Sequence, residues 1–420
     1  MQILQDTLAI EGGHPLHGSV RIGGAKNAGL VLIAASIMAN GQTVLDNVPR
    51  ICDTEIMVEI LNAIGCPTCW NEEDGSLSIC PPPGKLDHQT PYELSKKLRA
   101  SNLFLGALLA RQGEAVVSLP GGCDIGTRPM DLHIKGIRAL GAEIEIEHGF
   151  IVAKSKQPRG ASIYLDFPSV GATENLMMAA CKIPGSSVIE NAAKEPEIVD
   201  LANFLNSMGA KVRGAGTDVI KIEGVDRLKA GRYAIIPDRI EAGTYMIAAA
   251  ISGGDILVEN VIPTHLHPII AKLQEIGAVV EETDQGIRVK AGEKIRRADI
   301  KTLPYPGFPT DMQSQMLALL SLADGTSVVV ENVFDNRFQI VEELRRMGAK
   351  IKLEGHTAVV EGTPALNGAR VKATDLRAGA ALILAALAAH GETVIEDAIH
   401  IFRGYEKIKQ KLTNLGAKIE

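Results

Sequence analysis

The chain is poor in aromatic residues. One Trp, six Tyr and eight Phe are spread over 420 residues. The core must therefore be built from Ala, Ile, Val, Leu and Gly, as in α/β proteins whose helices pack closely. Long apolar runs are missing as well. The longest, AGAALILAALAA at 378–389, is about half of what a bilayer span requires. The opening MQILQDTLAIEGG has neither a basic start nor an apolar stretch. No secretory leader is predicted, and the protein is expected to be soluble and cytoplasmic, with no membrane partner. Positive charge is not in excess either. A formal net charge of −7 argues against a general nucleic-acid binder. It leaves room for a local cationic cleft, because net charge does not say where arginines converge.

Metal-ligand patterns are scarce. The six cysteines, at 52, 66, 69, 80, 123 and 181, are expected to be reduced. CPTC at 66–69 has the spacing of a redox or zinc half-site, but no second CxxC or His pair accompanies it. No metal site is predicted.

What the sequence has is repetition. IGCPT, LGAEI, MGAKV, IGAVV, MGAKI and LGAKI place glycines at 65, 141, 209, 277, 348 and 416, between 68 and 76 residues apart. Cys66 takes the position of the alanine in the other five, which gives it a second reading as a small buried residue. In each repeat a helix of small apolar residues, such as TYMIAAAIS, leads through Gly to a β-branched strand ending in Glu-Asn or Asp-Asn. A loop, an amphipathic helix, a capping Gly and two strands follow. The sixth repeat is cut short by the C-terminus. LAIEGGHPLHGSVRIGGAKNA near the N-terminus matches AVVEGTPALNGARVKATDLRAGA. Residues 1–24 are therefore expected to complete the sixth repeat. This predicts two domains in an α/β chain: 25–237, continuous, and 1–24 plus 238–420, split, with a cleft between them.

Charge collects at two places in each repeat. The start of the small-residue helix carries Lys26, Arg99, Asp311 or Arg377. The loop after the Glu-Asn strand carries Arg128, Arg337 or Arg403. A cation at a helix N-terminus is unfavourable by itself. Its recurrence there predicts an anionic ligand that offsets the cost. Asp311 has the opposite sign. It reads either as a general base near a bound anion or as a helix N-cap. The second repeat departs in length. From Leu119 to its capping Gly141 it needs 22 residues where the others need 16 to 19, and the additional ones fall around GGCDIG. Gly-rich residues added beside an anion cleft read as a lid. Cys123 in that lid, near Arg128, could exchange a proton or attack.

GGAKNA, PGGCDIGTRPMDLH, SVGATEN, GFPTDMQ, NRF and FRGYE together closely resemble the UDP-N-acetylglucosamine 1-carboxyvinyltransferases, a family of EPSP synthase-like enolpyruvyl transferases. The resemblance runs the length of the chain. It implies an inside-out α/β barrel of two domains, each three βαβαββ repeats with buried helices. It also implies transfer of enolpyruvyl from phosphoenolpyruvate to the 3′-hydroxyl of UDP-N-acetylglucosamine (UDP-GlcNAc), the first committed step of peptidoglycan synthesis, with no cofactor. By motif, Lys26, Asn27, Arg128, Arg377 and Arg403 would bind phosphoenolpyruvate, and Arg99 would add cationic field. Arg128, Pro129, Met130, Asp131, Leu132, Ser169, Val170, Gly171, Asp311 and Val333, with Arg99, would line the sugar-nucleotide site. Arg337 and Asp375 would complete the cleft. Cys123 would supply a proton or form a phosphothioketal with phosphoenolpyruvate, and Asp311 would take the hydroxyl proton. Some members carry a lysine before SVGAT, where this chain has Phe167 and Pro168. The family member acting on shikimate 3-phosphate lacks the cysteine lid. An RNA 3′-phosphate cyclase-like protein needs a C-terminal histidine, for which only His400 is placed. A sensor that binds UDP-sugar without turnover would not need Lys26, Cys123, Asp311 and Arg403. A monomer is expected.

Overall fold

The Glu-Asn strand endings are a structural device. In the computed structural model, which describes residues 6–119 and 129–420, Asn47, Asn191 and Asn260 adopt φ of 56°, 56° and 57°. This left-handed geometry is one that Asn tolerates better than most residues. Each turns its side-chain amide onto the carbonyl of the neighbouring parallel strand. Nδ2 donates to Ile235 O at 2.9 Å, Leu165 O at 2.7 Å and Ile22 O at 2.7 Å. Asn332 makes the same bond to Thr302 O at 3.0 Å. The motif thus turns the chain and ties the turn to the sheet. The six repeat glycines do similar work at helix ends, with φ between 87° and 105°, where any other residue is strained.

Strands gather into six sheets among the described residues. In the fifth repeat, Ile300–Lys301 runs parallel to Thr326–Val330, which pairs antiparallel with Thr357–Glu361, and that strand with Lys350–Glu354. The others follow this order. In the second repeat, an isolated bridge from Gln89 to Val116 stands where the parallel strand would be.

The chain divides into two compact units. One holds residues 6–23 and 237–420, the other 24–119 and 129–236. The N-terminal match needs one correction. Strand Thr7–Glu11 does join the sixth-repeat strands Glu392–Glu396 and Lys418–Ile419. Strand His17–Arg21 instead leads the fourth-repeat sheet, parallel to Asp255–Glu259. In the other unit Arg232–Ala234 leads the first-repeat sheet, parallel to Thr43–Asp46. The two chain segments at residues 23–25 and 236–238 are bonded on either side of the crossing. Asp238 N–H donates to Gly23 O at 2.9 Å, and Ala25 N–H donates to Ile236 O at 2.7 Å.

The small-residue helices are buried on every side. All of Ile240–Ile251, Gln313–Leu320 and Arg377–Leu387 is buried in one unit, and all of Ala28–Ala35 and Ala172–Ala180 in the other. A helix that is apolar all round must be enclosed, and Ala and Gly let neighbours approach where aromatic rings would not fit. Cys66 lies in this core, and burial pushes its thiol up to about 12. Among the described residues no helix is long and apolar enough to cross a membrane. None of their His, Cys, Asp and Glu residues form a group able to hold a metal.

The Asn turn can be tested away from the charged residues. Asn191→Ala loses both the bond to Leu165 and tolerance of positive φ, and should cost about 1–2 kcal/mol. Asn191→Gly should lose less, because glycine accepts the geometry. Urea unfolding of both variants reads the difference.

Candidate active site

Three of the residues singled out by sequence meet directly. Asp311 lies in the 3-10 turn Thr310–Met312, ahead of helix Gln313–Leu320. Its Oδ1 accepts from Arg337 Nη2 at 2.6 Å and its Oδ2 from Arg377 Nη2 at 2.7 Å. The arginine side chains are 3% and 6% exposed, that of Asp311 23%. The capping alternative fails, because neither the turn nor the helix has a side-chain cap. Burial would raise the Asp311 carboxyl. The charges and hydrogen bonds of Arg377 and Arg337 outweigh it and hold the group well below the usual carboxylate range.

The neighbours of this cluster fix its parts. Asp375 is the N-cap of helix Leu376–Ala388, with Oδ1 accepting from Arg377 N at 2.7 Å and Ala378 N at 3.1 Å. It therefore secures the backbone at Arg377. Val333 is set by Glu331, a strand-end acid that nothing in its own segment marks out. Glu331 is only 1% exposed. Its Oε1 accepts from Val333 N at 2.8 Å and Phe334 N at 3.1 Å, and its Oε2 accepts from the Thr310 hydroxyl at 2.9 Å. One carboxylate thus joins the Val333 loop to the turn that carries Asp311. Arg403 ends the 3-10 segment Ala398–Arg403 and is half-buried. Two glycines bring that segment onto the Arg377 helix. A Cβ at Gly404 would stand 2.7 Å from Leu376 Cδ2, and one at Gly379 2.5 Å from Ile401 Cγ1.

In the other unit, Lys26 opens helix Lys26–Ala35 with half-buried Asn27 beside it. Lys26 Nζ lies 2.8 Å from Oδ2 of Asp53, whose side chain is 1% exposed. A cation at a helix start predicts a bound anion. At Lys26 a protein carboxylate answers it, and at Arg377 both Asp375 and Asp311 do. Asp53 was in view in NVPRICD, but nothing local separates it from a surface acid. Arg99 begins the 3-10 segment Arg99–Leu103 and is half-buried.

Within this unit, residues 129–132 and 169–171, two of the segments read as sugar-nucleotide contacts, lie close together through His133. Pro129 and Asp131 are exposed, and Leu132 is half-buried. Met130 is different: its side chain is in the core, where Asn102 Nδ2 donates to its sulfur at 3.3 Å. Ser169 caps helix Val170–Ala180, its hydroxyl accepting from Ala172 N at 3.4 Å. A Cβ on Gly171 would stand 3.3 Å from His133 Cε1. Asn175 Oδ1 accepts from Gly106 N at 2.7 Å, so its Nδ2 donates to His133 Nδ1 at 3.1 Å. That places the His133 proton on Nε2, on the Gly171 side. Cys123 and Arg128 lie outside the described residues.

Comparisons with known proteins bear on this arrangement. The EPSP synthase (3-phosphoshikimate 1-carboxyvinyltransferase) family matches residues 10–412. The chain belongs to that family. It is 54% identical over 419 residues to UDP-N-acetylglucosamine 1-carboxyvinyltransferase 1 of Caldanaerobacter subterraneus subsp. tengcongensis, covering 99% of each chain. It is 55% identical over 417 residues to UDP-N-acetylglucosamine 1-carboxyvinyltransferase 2 of Carboxydothermus hydrogenoformans, again covering 99% of each. Among solved structures, the enolpyruvyl transferase NikO from Streptomyces tendae superposes with a TM-score of 0.88 at 24% identity, over 99% of this chain and 98% of that one. EPSP synthase from Acinetobacter baumannii gives 0.76 at 18% identity, over 99% of both. These two likenesses establish the enolpyruvyl transferase fold.

Asp311→Asn should leave two buried guanidiniums without their counter-charge. Breaking such a pair costs about 3–5 kcal/mol, and partial exposure of Asp311 puts the expected loss near the lower end. An ionised Asp311 stabilises the fold fully above the unfolded carboxyl value of about 4. That contribution is lost only as pH falls towards the lowered folded value. The gap between wild type and variant should therefore be constant from pH 7 to 5 and narrow at pH 3, as read by urea unfolding.

Proposed function

We propose that the chain transfers the enolpyruvyl group of phosphoenolpyruvate to the 3′-hydroxyl of UDP-GlcNAc, in the cytoplasm and as a monomer. The observation that carries this reading is near-complete coverage, above half identity, of relatives named for that activity. We assign each unit an inside-out barrel of three βαβαββ repeats, with domain limits 25–237 and 1–24 plus 238–420.

In the first step the sugar O3′ bonds to C2 of phosphoenolpyruvate. The hydroxyl proton passes to Asp311, and C3 takes a proton from the Cys123 thiol. In the second step the C2–O bond to phosphate breaks, C3 returns a proton, and phosphate leaves with the bonding pair. Lys26, Asn27, Arg128, Arg377 and Arg403 bind the phosphate and carboxylate, with Arg99 adding positive field. Pro129, Asp131, Leu132, Ser169, Val170, Gly171 and Val333 hold the sugar nucleotide, and Met130 contributes through its backbone.

The electrostatics of Asp311 qualify its part. A carboxylate held this low is a weak base, so it cannot deprotonate a free sugar hydroxyl to any extent. It does not need to. Protonation at C3 makes C2 cationic, and a hydroxyl bonding to that carbon becomes strongly acidic. Until then the fixed negative charge favours the cation itself.

Phosphate release from phosphoenolpyruvate is expected with UDP-GlcNAc and not with shikimate 3-phosphate. Release only with shikimate 3-phosphate, or with neither, overturns the reading. Cys123→Ser should abolish thiol alkylation by epoxide mimics of phosphoenolpyruvate. Labelling that persists in the variant places the reactive thiol elsewhere.

A further inference from the structure

Arg377 is held from a third direction. Its guanidinium carbon lies 5.9 Å from the centre of the Tyr405 ring. Tyr405 is 1% exposed, and its hydroxyl sits in a small polar cluster inside an otherwise apolar core. Tyr405 Oη is 2.9 Å from Thr244 Oγ1 and 3.2 Å from Gln315 Nε2.

Proton accounting fixes the directions. Thr244 has one hydroxyl proton, and it is used on Ile240 O at 2.8 Å. Thr244 Oγ1 therefore accepts from Tyr405, which accepts in turn from Gln315 Nε2. A phenol has one proton and two lone pairs. With its proton committed to Thr244 and one lone pair to Gln315, the Tyr405 oxygen keeps one lone pair for a cation. Arg377 is the cation beside it, and its charge and hydrogen bonding act on the phenol against the effect of burial.

Buried polar groups cost stability unless they are hydrogen-bonded, and a bonded cluster holds its members in place. Here three helices, Arg239–Ser252, Gln313–Leu320 and Leu376–Ala388, meet a residue of FRGYE. We propose that Tyr405, anchored by Thr244 and Gln315, is a positioning residue that fixes Arg377 against Asp311 for enolpyruvyl transfer. The inference rests on the function proposed above. At 1% exposure Tyr405 offers no surface to a substrate. It acts through Arg377, and through it on the charge state of Asp311. The charged and titratable groups around the pair are Arg337 on Asp311, Tyr405 and Asp238 beside the Arg377 guanidinium, and Asp375 on the Arg377 backbone.

Tyr405→Phe keeps the ring and removes the oxygen. In an enzyme releasing phosphate with UDP-GlcNAc, kcat should fall about tenfold, the scale of one hydrogen bond to a charged group. KM for UDP-GlcNAc should move less than twofold. With Arg377 less firmly placed, the acid limb of the pH–kcat profile should shift upward, because Asp311 is then easier to protonate. Thr244→Val and Gln315→Leu should shift it the same way by less. A Tyr405→Phe profile that superimposes on wild type after scaling for folded fraction overturns the proposal. A second measurement does not need turnover: the pH titration of the Asp311 carboxyl carbon by NMR, assigned with Asp311→Asn. Its midpoint should rise in Tyr405→Phe, and an unchanged midpoint also overturns it. Failure of wild-type phosphate release would instead refute the function and leave the titration to judge the positioning.

Discussion

A helix enclosed on all sides sets the terms for this fold. Each repeat buries one, and such a helix gains stability only if every face meets apolar surface. Ala, Gly and β-branched residues meet that requirement at close spacing. The shortage of aromatics is the visible consequence. The outer strands and amphipathic helices can then be half-polar, because each needs to turn only one face towards the enclosed helices.

Enclosure also decides where polar groups go. A helix buried along its length can place charge only at its ends. Lys26, Asp311 and Arg377 stand at such starts, and each is bonded to a partner from elsewhere in the chain. The charges are paired rather than waiting for a ligand: Lys26 by Asp53, Arg377 and Arg337 by Asp311. A substrate with phosphate and carboxylate groups would meet arginines already fixed in direction. Charges held in this way can act on a bound anion without first reorienting.

Much of the frame was legible in the sequence. The glycines at 65 to 416 marked the repeats and their helix ends, because the left-handed φ they adopt is a local property. The Glu-Asn endings were visible as a pattern, though their purpose was not. The hydrogen bond from the Asn260 side chain to the Ile22 carbonyl spans 238 residues. Strand His17–Arg21 was read into the sixth repeat because sequence similarity identifies a strand's kind, not which sheet it joins. Asp311 was undecided between cap and base. The same PTDMQ suits both; the absence of a capping hydrogen bond excludes the first, and the pairing with Arg337 and Arg377 is visible only in the fold.

By itself the sequence determined the repeat unit, the enclosed helices, the motif set and so the family, since each rests on local conformation or on residues read in order. The tertiary structure decided the partners. Asp53 under Lys26, Glu331 under Val333, Asp375 on the backbone of Arg377 and Tyr405 beside its guanidinium all involve groups that are ordinary in their own segments. Their roles arise from burial, where an unpaired polar group is costly and the chain must bring another to it.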